Sequence, residues 1–160
     1  MEGVYILLGS NEGDRAECLQ QAIRQIEKQC GPVMNVSALY ETAAWGLEDQ
    51  PDFLNQAIYI QTELAPEALL HETRAIEKAM GRQRTVKWGQ RTIDIDIIFY
   101  GNTIVRTENL DIPHPMMHLR RFVLVPLNEI APAFVHPVLH KTVQELLDEC
   151  PDHLVVRRIS

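Results

Sequence analysis

The chain has 160 residues, of which 46% are hydrophobic, and its formal net charge is −7 at pH 7. This length and apolar content predict one folded domain, residues 1–160, with a core of its own. The acidic balance argues against nonspecific binding to nucleic acid or to an anionic membrane. No apolar run reaches the roughly 18 residues that a membrane span needs, and residues 1–5 lack the basic region of a signal peptide, so we expect a cytoplasmic protein.

Hydrophobic periodicity predicts an alternation of strands and helices along the first 100 residues. The repeat changes from two to 3.6 residues after Gly9, and Asp14 is well placed to cap the first helix, which Gly31-Pro32 ends. Pro66 begins a second helix and Gly81 ends it. The predicted elements, in order, are strand 4–8, a helix from the Asp14 cap to Cys30, strand 33–40, strand 53–62, helix 66–80 and strand 91–100.

The remainder of the chain is interrupted by prolines at 113, 115 and 126. We expect residues 103–105 to pair with strand 91–100 as a hairpin, and two further helices at 122–130 and 143–150. The order βαββαβ with C-terminal additions predicts an α+β two-layer sandwich, in which an antiparallel sheet carries the first two helices on one face. The opposite face of the sheet is then available for a site.

Strand 91–100 places two acidic residues on one face. An extended chain alternates between Ile93, Ile95, Ile97 and Phe99 on one side and Asp94, Asp96, Ile98 and Tyr100 on the other. The two carboxylates are then roughly 6.5 to 7 Å apart, which suits one shared cation or two neighbouring ones. Because aspartate is disfavoured in strands, a metal-binding or general-base role explains the pair better than a solvated surface does.

A basic segment precedes this strand. Its four basic residues, with no acidic residue among them, are Arg82, Arg84, Lys87 and Arg91. On an acidic protein this segment predicts a compact anionic ligand such as a polyphosphate. For Lys87 alone, a solvated loop position is a fair alternative.

The acidic strand and the arginine segment together predict a phosphoryl-transfer site, with Mg²⁺ held by Asp94 and Asp96. The sequence contains neither the P-loop motif nor a kinase glycine-rich loop. Two alternatives stay open from the residues alone. One is a Mg²⁺-dependent phosphohydrolase or nuclease with water as the nucleophile. The other is a noncatalytic module that binds a small ligand and leaves both acidic residues solvated.

Several segments, in the same order along the chain, resemble one known family. They are Leu8-Gly9-Ser10-Asn11, Tyr40-Glu41-Thr42, residues 49–55, Gly81-Arg82, residues 87–98 (KWGQRTIDIDII), Ile112-Pro113-His114 and residues 120–124. They are similar to segments of the 6-hydroxymethyl-7,8-dihydropterin pyrophosphokinases (2-amino-4-hydroxy-6-hydroxymethyldihydropteridine diphosphokinases) of folate biosynthesis. The resemblance implies a ferredoxin-like fold. It also implies transfer of the pyrophosphoryl group of ATP to the hydroxymethyl oxygen of the pterin, with release of AMP.

The resemblance further implies roles for individual residues. Asp94 and Asp96 would hold two Mg²⁺ ions between ATP and the pterin, and Arg82 and Arg91 would stabilise the transferred group. The pterin site would comprise Phe53 and Phe122 against the ring faces and Thr42, Ala43, Trp45 and Asn55 at the polar edge. The ATP site would comprise Glu77, Arg84, Trp88, Arg91, Ile97, His114 and Arg120. We expect a monomer whose ligands are ATP, Mg²⁺ and the pterin.

The sequence also departs from the family pattern. Arg121 stands where a smaller residue is expected, and no role is assigned to it. The other departures are the Ala43-Ala44 pair, Phe53, Arg74, Lys87, Gln90, Asn109 and Pro115. They concern individual ATP contacts and leave the metal and pterin groups intact.

Overall fold

The computed structural model describes residues 1–43, 52–81 and 92–160. Within these ranges, none of the helices combines the length and apolar character that crossing a bilayer requires. A 3₁₀ turn lies at Met117–Leu119. The strands and helices are β1 (Glu2–Ser10), α1 (Arg15–Gln29), β2 (Val33–Val36), β3 (Tyr40–Thr42), β4 (Phe53–Thr62), α2 (Pro66–Ala79), β5 (Asp94–Tyr100), β6 (Val105–Arg106), β7 (Asp111–Ile112), α3 (Arg121–Ile130), α4 (Val143–Glu149) and β8 (Arg157–Arg158).

One antiparallel sheet organises the molecule. Its strands follow the order β5-β1-β4-β3-β8, and β2 pairs with the far half of β4. β1 is paired along nearly its whole length with β4 on one side and with β5 on the other. The short strands β6 and β7 pair with each other in a separate sheet. The predicted α+β class with an antiparallel sheet is confirmed.

Helices α1 and α2 cover the first face of this sheet. The Asp14 carboxylate caps α1 by accepting a hydrogen bond from the Glu17 N–H at 3.2 Å, as the sequence predicted. The apolar stripes of both helices then pack on alternate residues of β1, and burying each large side chain stabilises the fold by roughly 1.5 to 3 kcal/mol. Fully buried members of this core are Val4, Ile6, Leu8, Leu19, Ile26, Leu69 and Ile93.

The second face of the sheet is partly covered by α3 and α4. Leu7, Ala57 and Phe99 of the sheet pack there against Val123 and Leu127 of α3, with residues of α4 beyond them. The rest of this face, toward Gly9, is the part that remains available for a site. Both C-terminal helices begin and end within one residue of the predicted positions.

Three details of the predicted strands are wrong. The strand predicted at 33–40 is divided into β2 and β3, because the Ala38 N–H donates to the Glu129 carboxylate, at 3.1 and 3.2 Å, instead of to a strand. The hairpin predicted between residues 103–105 and strand 91–100 does not form, since Val105 pairs with Ile112 of β7.

The third error concerns the facing of β5. The register against β1 shifts between Tyr5 and Ile6, so that Ile97 pairs with Ile6 and Phe99 with Tyr5. Ile98 is the extra residue, and the alternation changes phase after it. Phe99 therefore packs with α3, and Tyr100 packs with the α1/α2 core, the reverse of the prediction.

Candidate active site

A cleft of about 490 Å³ opens on the second face of the sheet, around Gly9. It brings together eight residues that the sequence singled out, from β3, β4, β5 and the start of α3: Thr42, Ala43, Phe53, Asn55, Asp94, Asp96, Arg120 and Phe122. Sequence reasoning missed further lining residues: Leu7, Gly9, Met116, Leu119, Pro151, Asp152 and Leu154. Of these, only Gly9 had a signal, as part of the Leu8-Gly9-Ser10-Asn11 segment.

The floor of the cleft is a row of residues across three strands. Gly9 of β1 is opposite Asn55 of β4 on one side and opposite Asp94 of β5 on the other. Paired residues of antiparallel strands point to the same face, and neighbouring strands are about 4.8 Å apart, so Asn55 and Asp94 are about 10 Å apart across the row. Leu7 and Asp96 form the next row.

Gly9 makes room for the Asn55 side chain. A Cβ atom at position 9 would lie 2.8 Å from Asn55 Oδ1, a distance that real Cβ contacts do not reach. The Asn55 amide is 3% exposed, and its Nδ2 donates to Thr42 Oγ1 at 3.3 Å. A buried amide must satisfy its donors and acceptors, and the bond to Thr42 therefore fixes the orientation of the Asn55 amide group.

Asp94 and Asp96 present two carboxylates at one end of this floor. Asp94 is half-buried and Asp96 is exposed. The start of β5 is held against the helix layer, because the Ile95 N–H donates to Glu77 Oε2 of α2 at 2.8 Å. The described residues contain no cluster of three or more histidine, cysteine, aspartate or glutamate side chains of metal-binding geometry. Two carboxylates suit Mg²⁺, which takes its other ligands from water and from substrate phosphates.

Two aromatic side chains line the same cleft. Phe53, the first residue of β4, and Phe122, in the first turn of α3, are both half-buried. The Arg120 guanidinium carbon lies 5.9 Å from the centre of the Phe122 ring, within the range of a cation–π contact. A flat heteroaromatic molecule fits such walls, since its faces can pack on rings while its edge meets the Asn55 amide.

Three predicted nucleotide-site residues lie outside the lining of this cleft. Ile97 is 5% exposed within the α1/α2 core, and Glu77 lies on α2. His114 Nδ1 accepts from the Met116 N–H at 3.2 Å, and burial, reinforced by the Arg120 charge, lowers the pKa of this imidazole, which favours its neutral form. Five other predicted residues lie outside the described ranges: Trp45, Arg82, Arg84, Trp88 and Arg91.

The fold and the cleft together define an α+β protein with a carboxylate pair and an aromatic pocket on one face of an antiparallel sheet. Residues 5–132 match the model of one family, 7,8-dihydro-6-hydroxymethylpterin-pyrophosphokinase (HPPK). The chain belongs to this family.

Relatives of known name agree with this assignment. The chain is 41% identical over 149 residues to the 2-amino-4-hydroxy-6-hydroxymethyldihydropteridine pyrophosphokinase of Aquifex aeolicus, covering 93% of this chain and 92% of that one. It is 42% identical over 154 residues to the enzyme of the same name from Haemophilus influenzae, covering 96% of each. It is also 42% identical to a folic acid synthesis protein of Dictyostelium discoideum, of which it spans only 22%.

A solved structure shares the fold. The chain superimposes on wild-type Plasmodium falciparum HPPK-DHPS with pteroate at a TM-score of 0.77 and 18% identity. The match covers 92% of this chain and 42% of that one. At this identity the likeness extends to the fold alone.

Proposed function

We propose that the protein transfers the pyrophosphoryl group of ATP to the hydroxymethyl oxygen of 6-hydroxymethyl-7,8-dihydropterin, with release of AMP, as a step of folate biosynthesis. The observation that carries the proposal, in a chain of this family, is the row Asn55–Gly9–Asp94. It separates the Asn55 amide from the Asp94 carboxylate by about 10 Å. That distance fits a bicyclic ring bound at one end with its hydroxymethyl group directed to the other.

The reaction is a displacement at the β-phosphorus of ATP. The hydroxymethyl oxygen forms a bond to this phosphorus and loses its proton. The bond from the β-phosphorus to the oxygen that bridges to the α-phosphorus breaks, and AMP leaves with the electron pair. Such a transfer depends mainly on positioning of the two substrates and on electrostatic stabilisation of the phosphate oxygens.

Asp94 and Asp96 are proposed as the metal ligands. Two Mg²⁺ ions bound there would neutralise charge on the polyphosphate and orient it toward the hydroxyl. The residues present fit this role, since their carboxylates share a face of β5 and border the cleft. Arg82 and Arg91 are proposed to stabilise the transferred group.

The pterin is proposed to lie between Phe53 and Phe122. Asn55, held by Thr42, would bind the polar edge of the ring together with the Ala43 and Trp45 region, because paired donors and acceptors there discriminate strongly among heterocycles. The proposed ATP site comprises Glu77, Arg84, Trp88, Arg91, Ile97, His114 and Arg120.

We also propose a fold topology and an oligomeric state for the protein. The core β1-α1-β2/β3-β4-α2-β5, with sheet order β5-β1-β4-β3, fits a ferredoxin-like topology whose second strand is divided in two. We further propose that residues 1–160 act as one domain and as a monomer in the cytoplasm. Sedimentation equilibrium at micromolar concentration tests the monomer, since a mass of twice 18.3 kDa would contradict it.

The decisive experiment follows AMP after mixing protein, Mg²⁺, ATP and the hydroxymethyl dihydropterin. We expect AMP only when the pterin is present. Asp94→Ala and Asp96→Ala should each lower kcat by at least about 100-fold with the fold retained, because the metal charge is lost from the transition state. Asp148→Ala, which removes an exposed carboxylate of α4, is the matched control and should leave the rate unchanged.

Two outcomes would contradict the proposal. ADP in place of AMP, or turnover of ATP without pterin, would favour the phosphohydrolase alternative. A rate like that of the wild type in either aspartate variant would remove the metal assignment.

A further inference from the structure

The segment that follows α4, residues 151–160, forms part of the cleft wall. Pro151, Asp152 and Leu154 line the cleft, and β8, at Arg157 and Arg158, pairs with β3. This part of the wall is thus formed by the loop that connects α4 to β8. The loop is distant in sequence from Phe53 and Asn55. We call residues 151–160 the C-terminal segment.

Two hydrogen bonds join the C-terminal segment to the start of α3. The Arg121 main-chain N–H donates to Asp152 Oδ2 at 3.0 Å, and Arg121 Nε donates to the Leu154 carbonyl oxygen at 3.2 Å. The other carboxylate oxygen, Asp152 Oδ1, accepts from the Leu154 N–H at 2.9 Å. Both oxygens of Asp152 are thus in use. We call this set of contacts the Arg121–Asp152 clasp.

Asp152 caps α3 from outside the helix. Arg121 is the first residue of α3, and the first N–H groups of a helix have no acceptor within it. The residue at the N-cap position, Arg120, supplies no side-chain acceptor. An anionic carboxylate at the positive end of the helix is favourable. The cap fixes the turn that carries Arg120 and Phe122, and both of these line the cleft.

The other end of the C-terminal segment is fixed to β3. The Arg157 guanidinium pairs with the Glu41 carboxylate, and the Ile159 N–H donates to the Leu39 carbonyl oxygen at 2.9 Å. Thr42, which holds the Asn55 amide, follows Glu41 directly. The C-terminal segment therefore connects the aromatic wall at Phe122 with the strand that orients Asn55.

We propose that the Arg121–Asp152 clasp is a positioning device for the pterin ring. It holds Phe122 and the Leu154 wall in the arrangement that accepts the ring, without itself touching the transferred phosphate. This inference rests on the proposed function and deepens it. Asp94 and Asp96, which would bind the metal–ATP complex, lie on β5, outside the clasp. Opening the clasp therefore reduces the fraction of molecules competent to bind the pterin. Its effect on ATP passes through Arg120, the proposed ATP residue on the same turn, and is smaller.

The test compares variants of the full chain by steady-state kinetics and by fluorescence titration with 6-hydroxymethylpterin. Asp152→Ala should raise the KM for the dihydropterin and the Kd for the probe about tenfold, the usual effect of losing a hydrogen bond to a charged acceptor. The KM for ATP should rise less than the pterin KM, and kcat should change less than about twofold. Asp152→Asn keeps one oxygen acceptor for the Arg121 N–H but loses the bond from the Leu154 N–H, so it should recover part of the affinity. Asp148→Ala should match the wild type.

A second variant keeps the proposal testable if Asp152→Ala fails to fold. Arg121→Ala removes the bond to the Leu154 carbonyl but keeps the main-chain bond to Asp152, so a rise of about threefold in the pterin KM is expected. A lower Tm with an unchanged pterin KM in these variants would show that the clasp only stabilises the fold, and would overturn the proposal. An equal rise in both KM values would overturn it too. Wild-type protein without pterin-dependent AMP formation would instead overturn the proposed function.

Discussion

The absence of a side chain at position 9 decides how the floor of the cleft is built. Gly9 lies between Asn55 and Asp94 in the row across β4, β1 and β5, and its backbone needs no unusual φ angle there. The glycine is required because the Asn55 amide occupies the space that a Cβ atom would take. A methyl group at this position would displace the amide that is proposed to bind the pterin edge.

Gly9→Ala should therefore weaken pterin binding. We expect the pterin KM to rise about tenfold or more, because a bound ring then meets misplaced polar groups. Steady-state kinetics with each substrate in turn measures the effect. Gly3→Ala is the matched control, since its Cβ meets the Tyr59 side chain at the other end of β1 and should lower stability without changing the pterin KM. Equal pterin KM values for Gly9→Ala and the wild type would contradict the role given to Gly9.

Among individual residues, the sequence correctly indicated those cleft residues whose type is unusual for their position. Two aspartates on a strand and an asparagine beside a phenylalanine are such cases, and all of them line the cleft. Asp152 has no such mark, since its role depends on the N–H of Arg121, which precedes it by 31 positions. The long side chain of Arg121 departs from the family pattern, in which a smaller residue is expected at this position. Its contact with the Leu154 carbonyl gives that length a physical reason.

Among the elements, helices were predicted more accurately than the ends and pairings of strands. Most hydrogen bonds of a helix lie within one segment, so periodicity in the sequence locates it well, although the cap of α3 comes from the distant Asp152. The facing of β5 depends instead on an extra residue relative to β1, which alternation within β5 does not reveal. The division of strand 33–40 likewise depends on Glu129, which lies about 90 positions away.

The capping box at the start of α4 should contribute to the stability of the protein. Thr142 Oγ1 accepts from the Glu145 N–H at 3.1 Å, and the Thr142 N–H donates to Glu145 Oε1 at 2.9 Å. Thr142→Ala should lower the free energy of unfolding by about 1 kcal/mol. Urea denaturation measures this change, and Thr142→Ser, which keeps the hydroxyl, should recover most of it. A Thr142→Ala variant as stable as the wild type would show that the box contributes nothing.

In the whole molecule, Glu41 joins three parts of the structure. Its carboxylate pairs with Arg15 of α1 at 2.9 Å and with Arg157 of the C-terminal segment, while its backbone belongs to β3. Arg15 also donates to the Asp52 carbonyl oxygen at 2.8 Å, next to the start of β4. These contacts hold the first helix, the sheet edge and the last strand together. The hydrogen bond from Arg15, followed by its charge and the contacts of Arg157, lowers the pKa of Glu41 below its ordinary value.

Glu41→Gln should therefore destabilise the protein in a pH-dependent way. A carboxyl whose pKa is lowered in the folded state contributes stability above its unfolded pKa of 4.5, and this contribution disappears as the pH falls through the folded pKa. We expect a loss of about 1 to 2 kcal/mol at pH 7, since Arg157 is largely exposed and its part is screened. The difference between variant and wild type should shrink steadily below pH 4.5.

Urea denaturation between pH 3 and pH 7 tests this prediction. Glu149→Gln is the control, because its ion pair with Lys141 is exposed on both sides and should contribute little. A stability difference for Glu41→Gln that stays constant across this range would contradict the assignment to charge.

The central place of β1 in the sheet has a consequence for the order of events during synthesis. Both partners of β1 come much later in the chain, and residues 11–93 must be made before β5 begins. At ordinary translation rates this takes roughly 4 to 17 s. During that interval the edge of β1 that will pair with β5 has no partner, and the core around Val4, Ile6 and Leu8, all fully buried in the finished molecule, is incomplete. Residues 2–10 of the nascent chain are therefore where we expect a chaperone to bind, or two growing chains to associate wrongly.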